Sequence, residues 1–195
     1  MRGLSIEGIV LASARGLLRF GNYHGHAAWI LFDTSRRNAC ARRMDGEPWL
    51  ADGTKSLILR GSQAAWPIGI GEAQNFRNVL LCEGAPDLLA AFHFIVVCRR
   101  VTDYAPVAML SASYNIAADA LPLFTRKRVR IYVHDDETGY RAASRWMPQF
   151  IQRGANVDAF NFAGFRTHDG ASVKDLNGFA HAQTTDENLI AKLLP

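Results

Sequence analysis

The sequence predicts an α/β fold: a mainly parallel sheet flanked by helices, preceded by a small α+β subdomain. Three observations carry that expectation. Val79-Leu80-Leu81-Cys82 runs into Glu83, Gly84 and Pro86 and then an apolar helical pattern, which reads as a buried strand, a tight turn and a helix opened by proline. Val129-Arg130-Ile131-Tyr132-Val133 runs into His134, Asp135, Asp136 and Gly139 in the same way. After Asn78, strand-like and helix-like segments alternate, as crossover-linked parallel strands require.

Taken in order, Ser5 is a cap for a short helix reaching toward Leu18 and ending near Gly16. Ala27–Phe32 and Ala39–Ala41 read as a hairpin around Asp33–Asn38, and Ser56–Leu59 as a third strand after two turn-rich stretches. His24 and His26 flank a glycine with no acid nearby, a poor metal pair. Trp66-Pro67-Ile68-Gly69-Ile70-Gly71 is stiff and then flexible, a candidate hinge, so the boundary is placed near Ala73, with residues 1–73 as the basic subdomain and 74–195 as the second.

Beyond the first motif, the helix runs through Leu88–Phe94, and Pro106–Leu110 is the next strand. Ser111 and Ser113 either touch a phosphate at the sheet edge or cap a helix toward Leu121. Arg126, Lys127, Arg128 and Arg130 lie at the start of a strand whose far end carries Asp136. At about 3.3 Å per residue they fall on the order of 20 Å from the acids, which suits a solvated rim. Tyr140–Arg153 places Ala143, Trp146, Met147, Phe150 and Ile151 on one face, with a kink expected at Pro148 and an end at Gly154. Val157–Phe162 is a strand and Asp186–Leu194 a last helix.

The 195 residues bound the chain to one domain or two small ones with a real core. Hydrophobic residues at 49% and charged ones at 21% exclude a disordered chain. No apolar run approaches the roughly 20 residues that cross a membrane, and Met1–Arg19 lacks secretory-signal order, so a cytoplasmic setting is expected. Cys40, Cys82 and Cys98 form no Cys-x-x-Cys pair, which removes a zinc ribbon and a disulfide framework. A net charge of +4 favours anionic partners only mildly.

The chemistry lies where the strands end. Glu83 and Asp136 stand at the carboxyl ends of two strands of one parallel sheet, where such sheets place ligands. Without a cation, two carboxylates about 4 Å apart repel by roughly 4 kcal/mol at an effective dielectric of 20. A divalent-metal site is therefore the better reading. Asp87 falls in a first helical turn, beside the positive end of the helix dipole.

Glu83-Gly84-Ala85-Pro86-Asp87-Leu88-Leu89-Ala90-Ala91, followed by acids before Gly139 and an Ala142-Ala143 helix, resembles a Toprim domain, the metal-binding module shared by bacterial-type primases, topoisomerases and some nucleases. Lys174-Asp175-Leu176-Asn177 is similar to the third Toprim segment of primases, and the likeness runs from about Arg77 onward. The basic segment Ala41-Arg42-Arg43-Met44-Asp45-Gly46, with Lys55 beyond it, is similar to the subdomain preceding Toprim in primases. The chain departs from the family at His134, where an aspartate is usual, and at Asn177, where a second late acid is usual; both changes remove negative charge.

The resemblance implies a primase-like nucleotidyltransferase that makes short RNA primers on single-stranded DNA. It implies Mg2+ or Mn2+ held by Glu83, Asp87, Asp136 and Asp175, with Glu83, His134 and Asp136 catalytic, and Arg42, Arg43 and Lys55 binding nucleic acid. The implied partners are a single-stranded DNA template and nucleoside triphosphates, with a replicative helicase as a further candidate and no membrane. A Toprim metal-dependent nuclease and a nucleic-acid-binding module without catalysis remain as alternatives. A solvated arginine face is the plain alternative for the basic segment.

Overall fold

The computed structural model describes residues 3–167, 169–182, 190 and 192–195. Ser5 caps helix α1 (Ile6–Ala14), its hydroxyl accepting the Gly8 N–H at 3.2 Å. Helix α1 packs on α2 (Ala85–Val97), and a side chain at Gly8 would come within 2.8 Å of the His93 Cα. Glycine is required there by the close approach of two backbones.

The helix stops short of Leu18, and the chain turns into β1 (Leu18–Tyr23), a strand not expected from the sequence. With β2 (His26–Phe32), β3 (Ala39–Arg43) and β4 (Leu57–Ile58) it forms an antiparallel sheet in the order β1-β2-β3-β4. Leu18 pairs with Leu31 and Leu31 with Cys40, and all three are buried. Side chains alternate along a strand, so Trp29 and its partner Arg42 share that inward face.

The second sheet is parallel throughout: β5 (Asn78–Cys82), β6 (Tyr104–Ala108), β7 (Arg128–Val133) and β8 (Asn156–Asn161), in the order β6-β5-β7-β8. Strict alternation divides its side chains between two cores. Leu80, Cys82, Tyr104 and Tyr132 pack with α1, α2 and α4 (Leu176–His181). Val79, Leu81, Val129 and Ile131 pack with Trp146 and Phe150 of α3 (Glu137–Ile151). The α/β architecture with helices on both faces agrees with the sequence expectation.

Several local expectations change. In segment 66–71, Trp66, Ile68 and Ile70 are buried, and Ile68 exchanges two 2.9 Å backbone hydrogen bonds with Ala108. A helix toward Leu121 gives way to turns and a short 3₁₀ segment, Leu121–Phe124. Ile151 is 58% exposed rather than packed. Lys127 is not on a solvated rim; it is buried, its ammonium donating to the carbonyls of Ala73 and Phe76 at 2.8 and 2.7 Å. Arg130 pairs with Asp158. The expected last helix falls largely outside the described residues.

The core cluster inside the first sheet is continuous with α2 and α4. Among the described residues, no helix is long and apolar enough to cross a membrane.

Candidate metal centre

Strand β5 ends at Cys82, and Gly84 enters α2 in an extended conformation with no side-chain cap. Asp87 follows in the first turn, 3% exposed. Its two oxygens tie three distant segments together. Oδ2 lies 2.8 Å from Nε2 of His134, and Oδ1 accepts the backbone N–H of Asn177 at 3.0 Å.

His134 stands just past β7, and the reason it fits is Gly139. A Cβ at Gly139 would fall 2.5 Å from the His134 carbonyl oxygen, so the start of α3 can lie against the histidine only with glycine there. On its other side, Nδ1 of His134 is 3.6 Å from Glu83 Oε2. Asp136 caps α3, Oδ1 accepting the Gly139 N–H at 2.9 Å, and Asp175 caps α4 through the Gly178 N–H at 2.6 Å. Asp135 is held elsewhere, bonded through its N–H to the Lys174 carbonyl and through its carboxylate to the Tyr140 hydroxyl, both at 2.7 Å.

Asp87, His134 and Asp175 each offer a ligand atom, and these lie within 4.8 Å of one another. Glu83 borders the group across His134. Asp136 stands outside that group of three, yet its charge acts on Glu83. The burial of Glu83 pushes its carboxyl above the usual range; Asp136, Asp87 and Asp175 push the same way, and His134 opposes them. Burial and the charge of Asp87 likewise raise Asp175. For His134, burial pulls the imidazole down, but the hydrogen bond to Asp87 and the charges of Asp87, Glu83 and Asp175 outweigh it and lift the pKa to about 9. The protonated ring bridges two carboxylates and partly balances a cluster that would otherwise repel itself.

A cleft of about 350 Å3 opens over these groups, lined also by Arg42, Ser56, Ser111 and Asn177. Arg42 reaches it from β3, and Asp87 is among the charges acting on its guanidinium. Arg43 is bound to Asp45, with Nε 3.0 Å from Oδ1, and lines an adjoining hollow. Lys55 is exposed and outside both linings. Ser56 and the backbone of Asn177 were not anticipated as site groups; a backbone donor leaves no trace in residue type.

No family model and no curated protein matches the chain. Solved structures do. The primase fragment of the bacteriophage T7 primase-helicase protein matches 98% of this chain and 72% of its own, with a TM-score of 0.64 at 15% identity. The RNA polymerase domain of the Mycobacterium tuberculosis primase matches 94% of this chain and 60% of its own, with a TM-score of 0.55 at 15% identity. A DNA primase domain from Pseudomonas aeruginosa matches 93% and 56%, with a TM-score of 0.54 at 14% identity. The chain has a Toprim-like fold. It resembles the catalytic core of bacterial and phage DNA primases.

Within that Toprim-like frame, the donor set suits a divalent cation. Two carboxylates with one imidazole are oxygen and borderline nitrogen ligands of the kind taken by magnesium, manganese or zinc. The hydrogen bond from Asn177 to the far oxygen of Asp87 fixes the carboxylate so that Oδ2 faces inward, as outer partners of metal ligands do.

Proposed function

We propose that this chain is a primase-like nucleotidyltransferase that joins ribonucleotides on single-stranded DNA with Mg2+ or Mn2+. The observation that carries the reading is the convergence of Asp87, His134, Asp175 and Glu83 at the carboxyl edge of the parallel sheet, with Arg42 of the first sheet facing them across the cleft. Asp87, His134 and Asp175, with Glu83 beside them, would hold a divalent cation, which would neutralise charge on the triphosphate. Glu83, held above the usual carboxylate range, is suited to take the proton of an attacking hydroxyl. His134 holds Asp87 in place and, once neutral, would be the nitrogen ligand of the cluster. Asp136 sets the local field and caps α3, while Arg42, Arg43 and Lys55 hold template and nucleotide phosphates.

Incubating the chain with single-stranded DNA, ribonucleotides and magnesium or manganese tests this directly. New short RNA is the expected product, abolished in Glu83→Gln while the circular dichroism is unchanged. Shortened input DNA assigns the same acids to a nuclease, and shifted but unaltered DNA assigns a binding module.

A further inference from the structure

Away from the acid cleft, the turn between β2 and β3 buries a carboxylate. Asp33 is fully buried, and Asn38, opposite it, is 1% exposed. The Asp33 N–H donates to the Asn38 carbonyl at 2.9 Å, one step beyond the Phe32–Ala39 pair of the ladder. Residues opposite each other across two strands share a face, their Cβ atoms about 5 Å apart. That face meets segment 66–71. The Asn38 amide nitrogen donates to the Trp66 carbonyl at 2.7 Å, which turns its oxygen the other way. Asp33 Oδ1 is 4.0 Å from where a Cβ on Gly71 would sit, and Thr34 Oγ1 is 2.7 Å from the same point. Glycine at 71 thus leaves space beside these oxygens.

Two oxygens at this place lack a hydrogen-bond donor: Asp33 Oδ1 and Asn38 Oδ1. Asp33 Oδ2 is taken by the N–H of Ser35 at 3.0 Å and by its hydroxyl, contacts that bring no charge. Among the described residues no cationic side chain pairs with Asp33. Arg37 of the same turn lies 3.6 Å over the Trp66 ring and binds Asp119. A buried carboxylate is costly unless something positive accompanies it. A water would satisfy both oxygens and leave the charge unanswered. A divalent ion would leave one positive charge in excess. One monovalent ion balances the site, and carboxylate and amide oxygens are ligands that hard cations take.

We propose that an alkali cation, sodium or potassium, sits between Asp33 Oδ1 and Asn38 Oδ1 and ties the β2–β3 turn to segment 66–71. That segment pairs with Ala108 of β6 through Ile68, so the ion fastens the first sheet to the second. Asn38 stands roughly 13 Å of extended chain from Arg42. The site is thus separate from the acid cleft and independent of the activity proposed above.

Thermal melts of the chain in chelator, at one ionic strength, with sodium, potassium or tetramethylammonium chloride test it. Chelator keeps the acid cluster free of divalent ions. Tm should be about 3–6 °C higher in the preferred alkali ion at about ten times its dissociation constant. It should rise with the logarithm of ion concentration, as filling of one site requires, rather than linearly as a general salt effect does. Asp33→Asn keeps a turn-forming side chain and removes the charge; its Tm should be the same in all three salts. Asp175→Asn, which alters only the acid cluster, should keep the preference. Equal melts of the starting chain in the three salts overturn the proposal, and a water or a proton then fills the place. A linear dependence on concentration overturns it too. So does a preference that survives Asp33→Asn, or one lost in Asp175→Asn, which puts the ion in the acid cluster. Should Asp33→Asn not fold, the logarithmic rise and Asp175→Asn decide.

Discussion

His134 departs from the usual acid at its position, and its surroundings give that departure a measurable consequence. Its pKa near 9 lies above the ordinary imidazole value of 6.5. The protonated ring therefore stabilises the metal-free fold fully below about pH 6.5, and the contribution fades as pH rises through about 9. Thermal melts in chelator should show Tm falling across that interval, and His134→Gln should flatten the slope. A proton on the ring competes with a cation for the same nitrogen, so manganese affinity should rise over the same range. Asp175→Asn separates ligation from folding: asparagine caps a helix about as well as aspartate, so Tm should hold while manganese affinity falls by about tenfold or more. A variant that binds manganese normally would remove Asp175 from the ligands.

At the level of elements, the two glycines at close approaches matter more than their size suggests. Gly8→Ala forces a methyl to 2.8 Å from the His93 backbone. Overpacking of this kind costs about 1–3 kcal/mol, a Tm loss of roughly 2–10 °C for a chain of this length. An unchanged Tm would show that α1 shifts freely on α2. The elements legible in the sequence were those with local signals: the Ser5 cap, and the apolar runs 79–82 and 129–133 that end in acids. Strand β1 was not legible because only Leu18 of its six residues is fully buried, leaving no alternation to read. The stretch after Ser113, for which a helix toward Leu121 is one of the two expectations, forms turns instead because what holds it is distant. Trp146 donates to the Tyr114 carbonyl, Arg145 to that of Ala112, and Gln149 accepts the Ile116 N–H. In the site, Asp87 and Asp175 could be named from motif and likeness, but the pairing of His134 with both Glu83 and Asp87 depends on the packing of α3 through Gly139.

For the molecule as a whole, the two sheets meet across the acid cleft, acids from one facing Arg42 from the other. If Arg42, Arg43 and Lys55 each hold one phosphate of a single strand, binding should weaken with salt at a log–log slope of roughly −2, from about −0.7 per contact. Removing Lys55 should lessen that slope by about 0.7; a flat response to salt would leave the arginines as a solvated face. Lys127, read from sequence as part of a basic rim, takes no part in such binding, because its charge is turned inward onto two carbonyls.

The bond from the Asn177 N–H to Asp87 spans 90 positions of chain. Closing so long a loop is entropically costly, and local structure at either end can form without it. The pocket is thus completed only when α4 docks. On the ribosome, a nascent chain carrying every residue through Glu83, Asp87 and His134 would still lack the Asp175 carboxylate and the Asn177 N–H, and the cluster becomes whole only once residue 177 has emerged and folded back.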